Sequence, residues 1–129
     1  GNDGLDISGT TITLEDINIF EPGDKGISGG EESSIEANNV KITGGYVGVA
    51  GKDNSKIKIN KIEVSNCEYG FAVYQKKPEF GPSSIDASLS TLKENKNDYI
   101  VEKKSSLTVN NEIILGGEDK VYEKLYPGQ

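Results

Sequence analysis

The chain contains no arginine, no histidine, no tryptophan and no methionine, and all 14 of its basic residues are lysine. Without histidine, a catalytic thiol loses its usual base. The single cysteine, Cys67, therefore reads as a small buried apolar side chain, and it can close no internal disulfide. Positive charge is scarce, with a net charge of −7. That argues against a nucleic-acid partner, which needs clustered positive charge, and gives no support for docking on anionic lipid. No apolar run approaches the roughly 20 residues of a membrane span, and nothing resembles a signal peptide. Only 33% of residues are hydrophobic, too few for a thick core buried on all sides. The lack of an initial methionine leads us to expect a piece of a longer protein, so missing targeting signals carry no weight.

What the chain does have is a period. Gly4, Gly26, Gly48 and Gly70 are each 22 residues apart, and each precedes an apolar residue: Leu5, Ile27, Val49 and Phe71. A second column runs through Ile12, Ile35, Ile57, Ile85 and Leu107, with Leu14, Ala37, Ile59, Ala87 and Val109 two positions on. A third pair follows at Ile17 and Ile19, Val40 and Ile42, Ile62 and Val64. It weakens to Ser90 and Leu92, then to Glu112 and Ile114. Alternating apolar and polar residues describe strands with one buried face. Three short strands per repeat fit one turn of a coil, each strand pairing with its equivalent about 4.8 Å along the axis. A leucine-rich repeat is disfavoured, since the fixed leucine spacing and the helical half-repeat are both missing. The expected fold is all-β: a single-stranded parallel β-helix of about five rungs over residues 1–115, with a short C-terminal cap at 116–129.

Three residues past each second-column anchor stand Glu15, Asn38, Asn60, Ser88 and Asn110. Asparagine tolerates left-handed backbone angles and can hydrogen-bond from rung to rung, so this column is expected at the bend between the second and third strands. In the C-terminal piece, Val121, Tyr122, Leu125 and Tyr126 share one face of a short helix, expected as a lid over the last rung, with a further partial strand as the alternative. The front end carries no cap.

On this coil and its asparagine column, the chain resembles the right-handed parallel β-helix group typified by pectate lyases. The stretches "GDKGISGGEESSIEANN", "GVAGKDNSKIKI" and "GFAVYQKKPEFG" are similar, more narrowly, to the β-helix segment of bacterial spore-coat protein H (CotH)-like proteins. The kinase-like catalytic segment of that family is absent, so no kinase activity is implied. The resemblance implies a right-handed fold and leaves function open, because such coils serve lyases, hydrolases, epimerases, adhesins and spacers.

One rung is longer than the rest. Ile57 and Ile85 are 28 residues apart, so an insertion around "YQKKPEFGPSS" falls between the first and second strands. Extra length within a strand would flip every following side chain, so it belongs at a corner. Loops on rigid scaffolds often carry function, although neutral drift at a tolerant corner explains the length equally well. Charged corners and nearby aromatic residues nominate Tyr46, Lys52, Asp53, Tyr69, Tyr74, Lys76, Lys77, Glu79 and Phe80 as a glycan-binding surface. The alternative is a solvated face.

A lyase would need Lys52, Lys76 or Lys77 as base, with its pKa lowered by burial or a cationic neighbour, and calcium at carboxylates. Asp3, Asp6, Asp98 and Glu102 are too dispersed for a convincing metal cluster, so no metal ligand is assigned. A polygalacturonase-like hydrolase is dropped, because that resemblance would require a histidine. The leading expectation is a non-catalytic β-helical module of a larger secreted or surface bacterial protein, used for spacing or for binding glycan or cell-envelope polymer. Its partners would be that polymer and neighbouring domains, and it needs no cofactor. The alternative is a polysaccharide lyase or epimerase module on acidic polysaccharide, with Lys76 or Lys77 as base.

Overall fold

A computed structural model describes residues 2–128; the expected domain limits at Gly1 and Gln129 lie outside the described residues. In it the 22-residue period becomes a stack of parallel coils. One sheet runs in the order β1 (Leu5–Ser8), β3 (Lys25–Gly30), β5 (Val47–Lys52), β7 (Tyr69–Tyr74) and β9 (Asn97–Val101). The other contains β2 (Thr11–Phe20), β4 (Ser34–Thr43), β6 (Lys56–Ser65), β8 (Ser84–Lys93), β10 (Ser106–Val109) and β11 (Glu112–Leu115). Register follows the sequence columns: Ile12 pairs with Ile35, Ile35 with Ile57, Ile57 with Ile85, and Ile85 with Leu107. This stack is a parallel β-solenoid. No helix among the described residues is long and apolar enough to cross a membrane.

In the first four turns the second and third strands are two halves of one kinked ten-residue strand. The kink lies one residue beyond the predicted asparagine column, at Asp16, Asn39, Lys61 and Leu89, all with φ between 51° and 69°. A single left-handed residue interrupts the two-residue alternation. Ala37 and Val40, or Ile59 and Ile62, therefore both face the interior despite their odd spacing. The column before it is a side-chain ladder in part: Asn38 donates to Glu15 (3.0 Å), and Ser88 to Asn60 (3.4 Å).

The glycine period has a steric cause. A Cβ on Gly26 would lie 2.6 Å from the carbonyl oxygen of Gly48, and one on Gly48 would lie 2.6 Å from that of Gly70. In the last rung Asp98 takes this place, where no further coil follows to overlie it. At the corner after the first sheet, Ser33, Ser55, Ser83 and Ser105 stack fully buried. Ser83 Oγ accepts the Ser55 N–H (3.2 Å), and Ser105 Oγ accepts that of Ser83 (3.1 Å). This ladder was readable two positions before each anchoring Ile or Leu, yet only the asparagine column was identified.

Two expectations about the end are corrected. Glu112 and Ile114 were expected to continue the fifth coil in parallel; instead β11 turns back antiparallel on β10. The reversal occurs at Asn110 and Asn111, with φ of 49° and 68°, the double left-handed pair that a two-residue hairpin requires. Asn110 is therefore a turn residue, not a rung of the ladder. Its side-chain amide accepts from the Ser90 N–H (2.7 Å) and donates to the Ser90 carbonyl (3.1 Å), replacing a pairing strand. Nor does the short helix α1 (Val121–Leu125) sit over the last rung. Val121 and Leu125 pack on the outer face of the first sheet, against Val47, Ala50, Ala72, Tyr74 and Ile100. The C-terminal segment thus runs back along the coil as a strap. The apolar outward column it covers drew it there.

Candidate functional site

The long corner spans residues 75–83 between β7 and β8, where the preceding turn uses only residues 53–55. It is held from beneath. Asp53, only 1% exposed and left-handed at φ 55°, accepts the N–H groups of Lys76 and Lys77 on one carboxylate oxygen, both at 2.7 Å. Asp53, nominated as a ligand contact, anchors the loop and also lines a small cleft beside it. Glu102 accepts the N–H of Gln75 (3.0 Å) on one oxygen and that of Val121 (2.9 Å) on the other. One carboxylate therefore ties loop and strap together.

Between them lies a cleft of about 210 Å³ lined by Asp24, Lys25, Lys52, Tyr74, Lys76, Tyr122 and Tyr126. Lys25 and Lys52 reach it from opposite ends of neighbouring strands, since Lys25 begins β3 and Lys52 ends β5. Lys25 is buried and neutralised locally, 2.8 Å from Asp24 and 3.8 Å from Asp3. Burial lowers its pKa, but the Asp24 hydrogen bond, with Tyr74, Asp24 and Asp3 adding, carries the net shift upward. Lys52 is the opposite case. Burial first, then the charges of Lys25 and Lys76, lower its pKa. Among the described residues, no carboxylate lies within 4.0 Å of the Lys52 or Lys76 ammonium.

The aromatic wall is ordered. The Lys76 ammonium lies 5.4 Å from the Tyr122 ring centre and that of Lys25 lies 4.9 Å from Tyr126. Tyr126 donates its hydroxyl to Asp24 (2.8 Å), and Tyr74 stacks on Tyr122 at 6.4 Å. Burial pushes the phenols of Tyr74 and Tyr126 upward, the Asp24 hydrogen bond adding to the effect at Tyr126. Both stay protonated donors at neutral pH.

A smaller cleft of about 140 Å³ adjoins this one and shares Lys52 and Lys76. Lys77 lines it, paired with Glu31, which also accepts from Ser8 (3.1 Å). The hydrogen bond to Glu31 raises the Lys77 pKa, opposite to what a catalytic base needs. Of the nominated residues, Lys52, Tyr74 and Lys76 converge on the main cleft. Tyr46 is held by the strap: its hydroxyl donates to the Leu125 carbonyl (2.6 Å) and its ring meets Tyr69 edge-on at 5.8 Å. Tyr69 also lines a separate groove of about 480 Å³ near β9 and β11. Glu79 and Phe80 lie on the outer part of the loop and line neither cleft. Asp24, Lys25, Tyr122 and Tyr126 were not nominated. The sequence shows the tyrosines only as an apolar helix face, because nothing in it says that this face lands on the outward Ala50–Ala72–Ile100 column.

Cys67 is buried, its thiol pushed up to about 11 by burial and directed at the Gly44 carbonyl (3.3 Å). No protein-family model matches the chain, nor does any curated protein or solved structure. The likeness to pectate lyases therefore extends only to the parallel β-solenoid, and the narrower likeness to spore-coat protein H has no support.

Proposed function

We propose that the domain is a non-catalytic recognition module of a larger secreted or surface bacterial protein, its coil serving as a rigid support for one binding cleft. The observation behind this reading is the convergence of Lys25, Lys52 and Lys76 with Tyr74, Tyr122 and Tyr126 on a chain of net charge −7. Ammonium groups offer charge and donors to an acidic sugar, and half-buried Tyr122 and Tyr126 offer it apolar ring surface, with buried Tyr74 stacked behind Tyr122. The cleft's roughly 210 Å³ falls below the range of about 300–1,000 Å³ for drug-sized sites, so it accommodates one unit of a polymer or its end.

A second reading, a lyase or epimerase acting on acidic polysaccharide, is favoured only by the lowered pKa of Lys52, the direction a general base requires. The two separate in one assay. The domain, with and without calcium, is screened against acidic and neutral polysaccharides for binding and for unsaturated products. Binding without product is expected. Unsaturated product that disappears in Lys52→Gln would replace the binding reading with the lyase one.

A further inference from the structure

We infer that the cleft recognises a dianionic phosphomonoester carried on a sugar, a ligand class that deepens, and rests on, the reading of this cleft as a binding site. Charge and geometry carry the inference together. Lys25 is already matched by Asp24 and Asp3. Lys52 and Lys76 have no carboxylate within 4.0 Å among the described residues, which leaves two ammoniums without an ion-pair partner on one small cleft, with Asp6 and Asp3 acting on Lys52 only from further off. A phosphomonoester brings a charge of about −1.5 to −2 at neutral pH and three acceptor oxygens, so it matches both ammoniums at once. A sugar carboxylate brings one charge and two acceptor oxygens, one fewer than the phosphate offers the two ammoniums.

The donor type points the same way. The forked guanidinium of arginine holds carboxylates and phosphates alike, and the chain has none, so every cationic side chain here is a lysine. Lysine ammoniums are point charges with three donors each, suited to a tetrahedral oxyanion approached from several sides. Half-buried Tyr122, with Lys76 over its ring, lies beside the ammoniums where the attached sugar would pack, while Asp6, in the adjoining cleft, offers a carboxylate to sugar hydroxyls. The phosphate thus sits on the tyrosine side of the Lys52–Lys76 ridge.

Calorimetric titration of the domain with glucose 6-phosphate, inorganic phosphate, glucuronate and glucose tests this. Glucose 6-phosphate is expected to bind about 10-fold or more tighter than glucuronate and inorganic phosphate near pH 7.5. Its affinity should fall several-fold near pH 5, where the second phosphate proton returns (pKa about 6). Lys52→Gln and Lys76→Gln should each weaken it about 10-fold or more, in line with loss of a charge-assisted hydrogen bond. Lys93→Gln, on the opposite sheet, should leave it unchanged. Glucuronate binding equally well, with no loss at low pH, overturns the phosphate assignment but keeps the cleft as a ligand site. Inorganic phosphate binding as tightly as the sugar phosphate overturns the sugar part. If no probe binds, and the two lysine variants also leave polysaccharide binding unchanged, the inference and the proposed function fall together.

Discussion

At the kink of each coil one residue must adopt a left-handed backbone, and the four occupants are unequally suited to it. Asp16 and Asn39 tolerate it, and Asn39 donates its amide to Asp16 at 2.8 Å. Leu89 does not: it holds φ 51° with 68% of its surface exposed, gaining little burial for its strain. A left-handed conformation costs an ordinary L residue about 1–2 kcal/mol, and asparagine recovers part of it through local hydrogen bonding. Leu89→Asn should raise stability by about 0.5–1 kcal/mol, read as a higher urea midpoint at constant slope. Gly48 is the counter-case, because the Gly70 carbonyl oxygen and a methyl of buried Val64 both stand 2.6 Å from any added Cβ. Gly48→Ala should lower stability by about 1–3 kcal/mol, the usual cost of overpacking. If both substitutions moved the midpoint in the same direction, the stacking geometry assigned to these columns would be wrong.

Among the elements, the long corner is where structure and site meet. Two backbone N–H groups end on one oxygen of buried Asp53, so Asp53→Ala leaves both without that acceptor. The substitution is expected to cost about 1–3 kcal/mol locally. Amide exchange at Lys76 and Lys77 should accelerate about 10-fold or more while β4 and β6 stay protected, and unchanged exchange there would show that the loop holds itself. The example also marks how far the sequence could be read. The Ile35–Ile57–Ile85 column, the insertion point and Cys67 were all legible, because inward-facing positions repeat and repetition is a one-dimensional signal. The roles of Asp53 and Glu102 were not, since a carboxylate that accepts backbone N–H groups has the same letter as one that meets a ligand. Lys52, Tyr74 and Lys76 were legible as a cluster because adjacent rungs bring them together. Asp24 and Lys25 carry the same charged-corner signal as Lys52 and Asp53, but Lys25 starts a strand where Lys52 ends one, so the sequence does not show that they meet. The hairpin at Asn110–Asn111 carried its own turn signal, which the column reading overrode.

For the molecule as a whole, the strap joins the last coil to the second one, through Tyr126 on Asp24 and the Leu125 carbonyl under Tyr46, and it supplies two of the three cleft tyrosines. Coil stability and cleft integrity are therefore coupled by the same phenols. The folded pKa values of Tyr74 and Tyr126 are raised above the unfolded value of about 10. Between those limits the unfolded chain has released protons that the folded chain still holds. The stability these groups contribute is thus complete below about pH 10 and is lost as pH rises above it. Cys67 follows the same sign over a lower window, from its ordinary 9.0 to about 11. A chain ending at Gly116 should melt at a lower temperature at neutral pH, since Val47, Ala50, Ala72 and Ile100 lose their cover. It should also lose the part of the decline above about pH 10 that Tyr126 carries and weaken the part from uncovered Tyr74, leaving a shallower slope from Tyr46 and the thiol. Parallel melting curves and tyrosinate absorbance for the two chains decide the matter: an identical alkaline decline in both would mean that the strap does not hold these phenols, and that the cleft is not built from it.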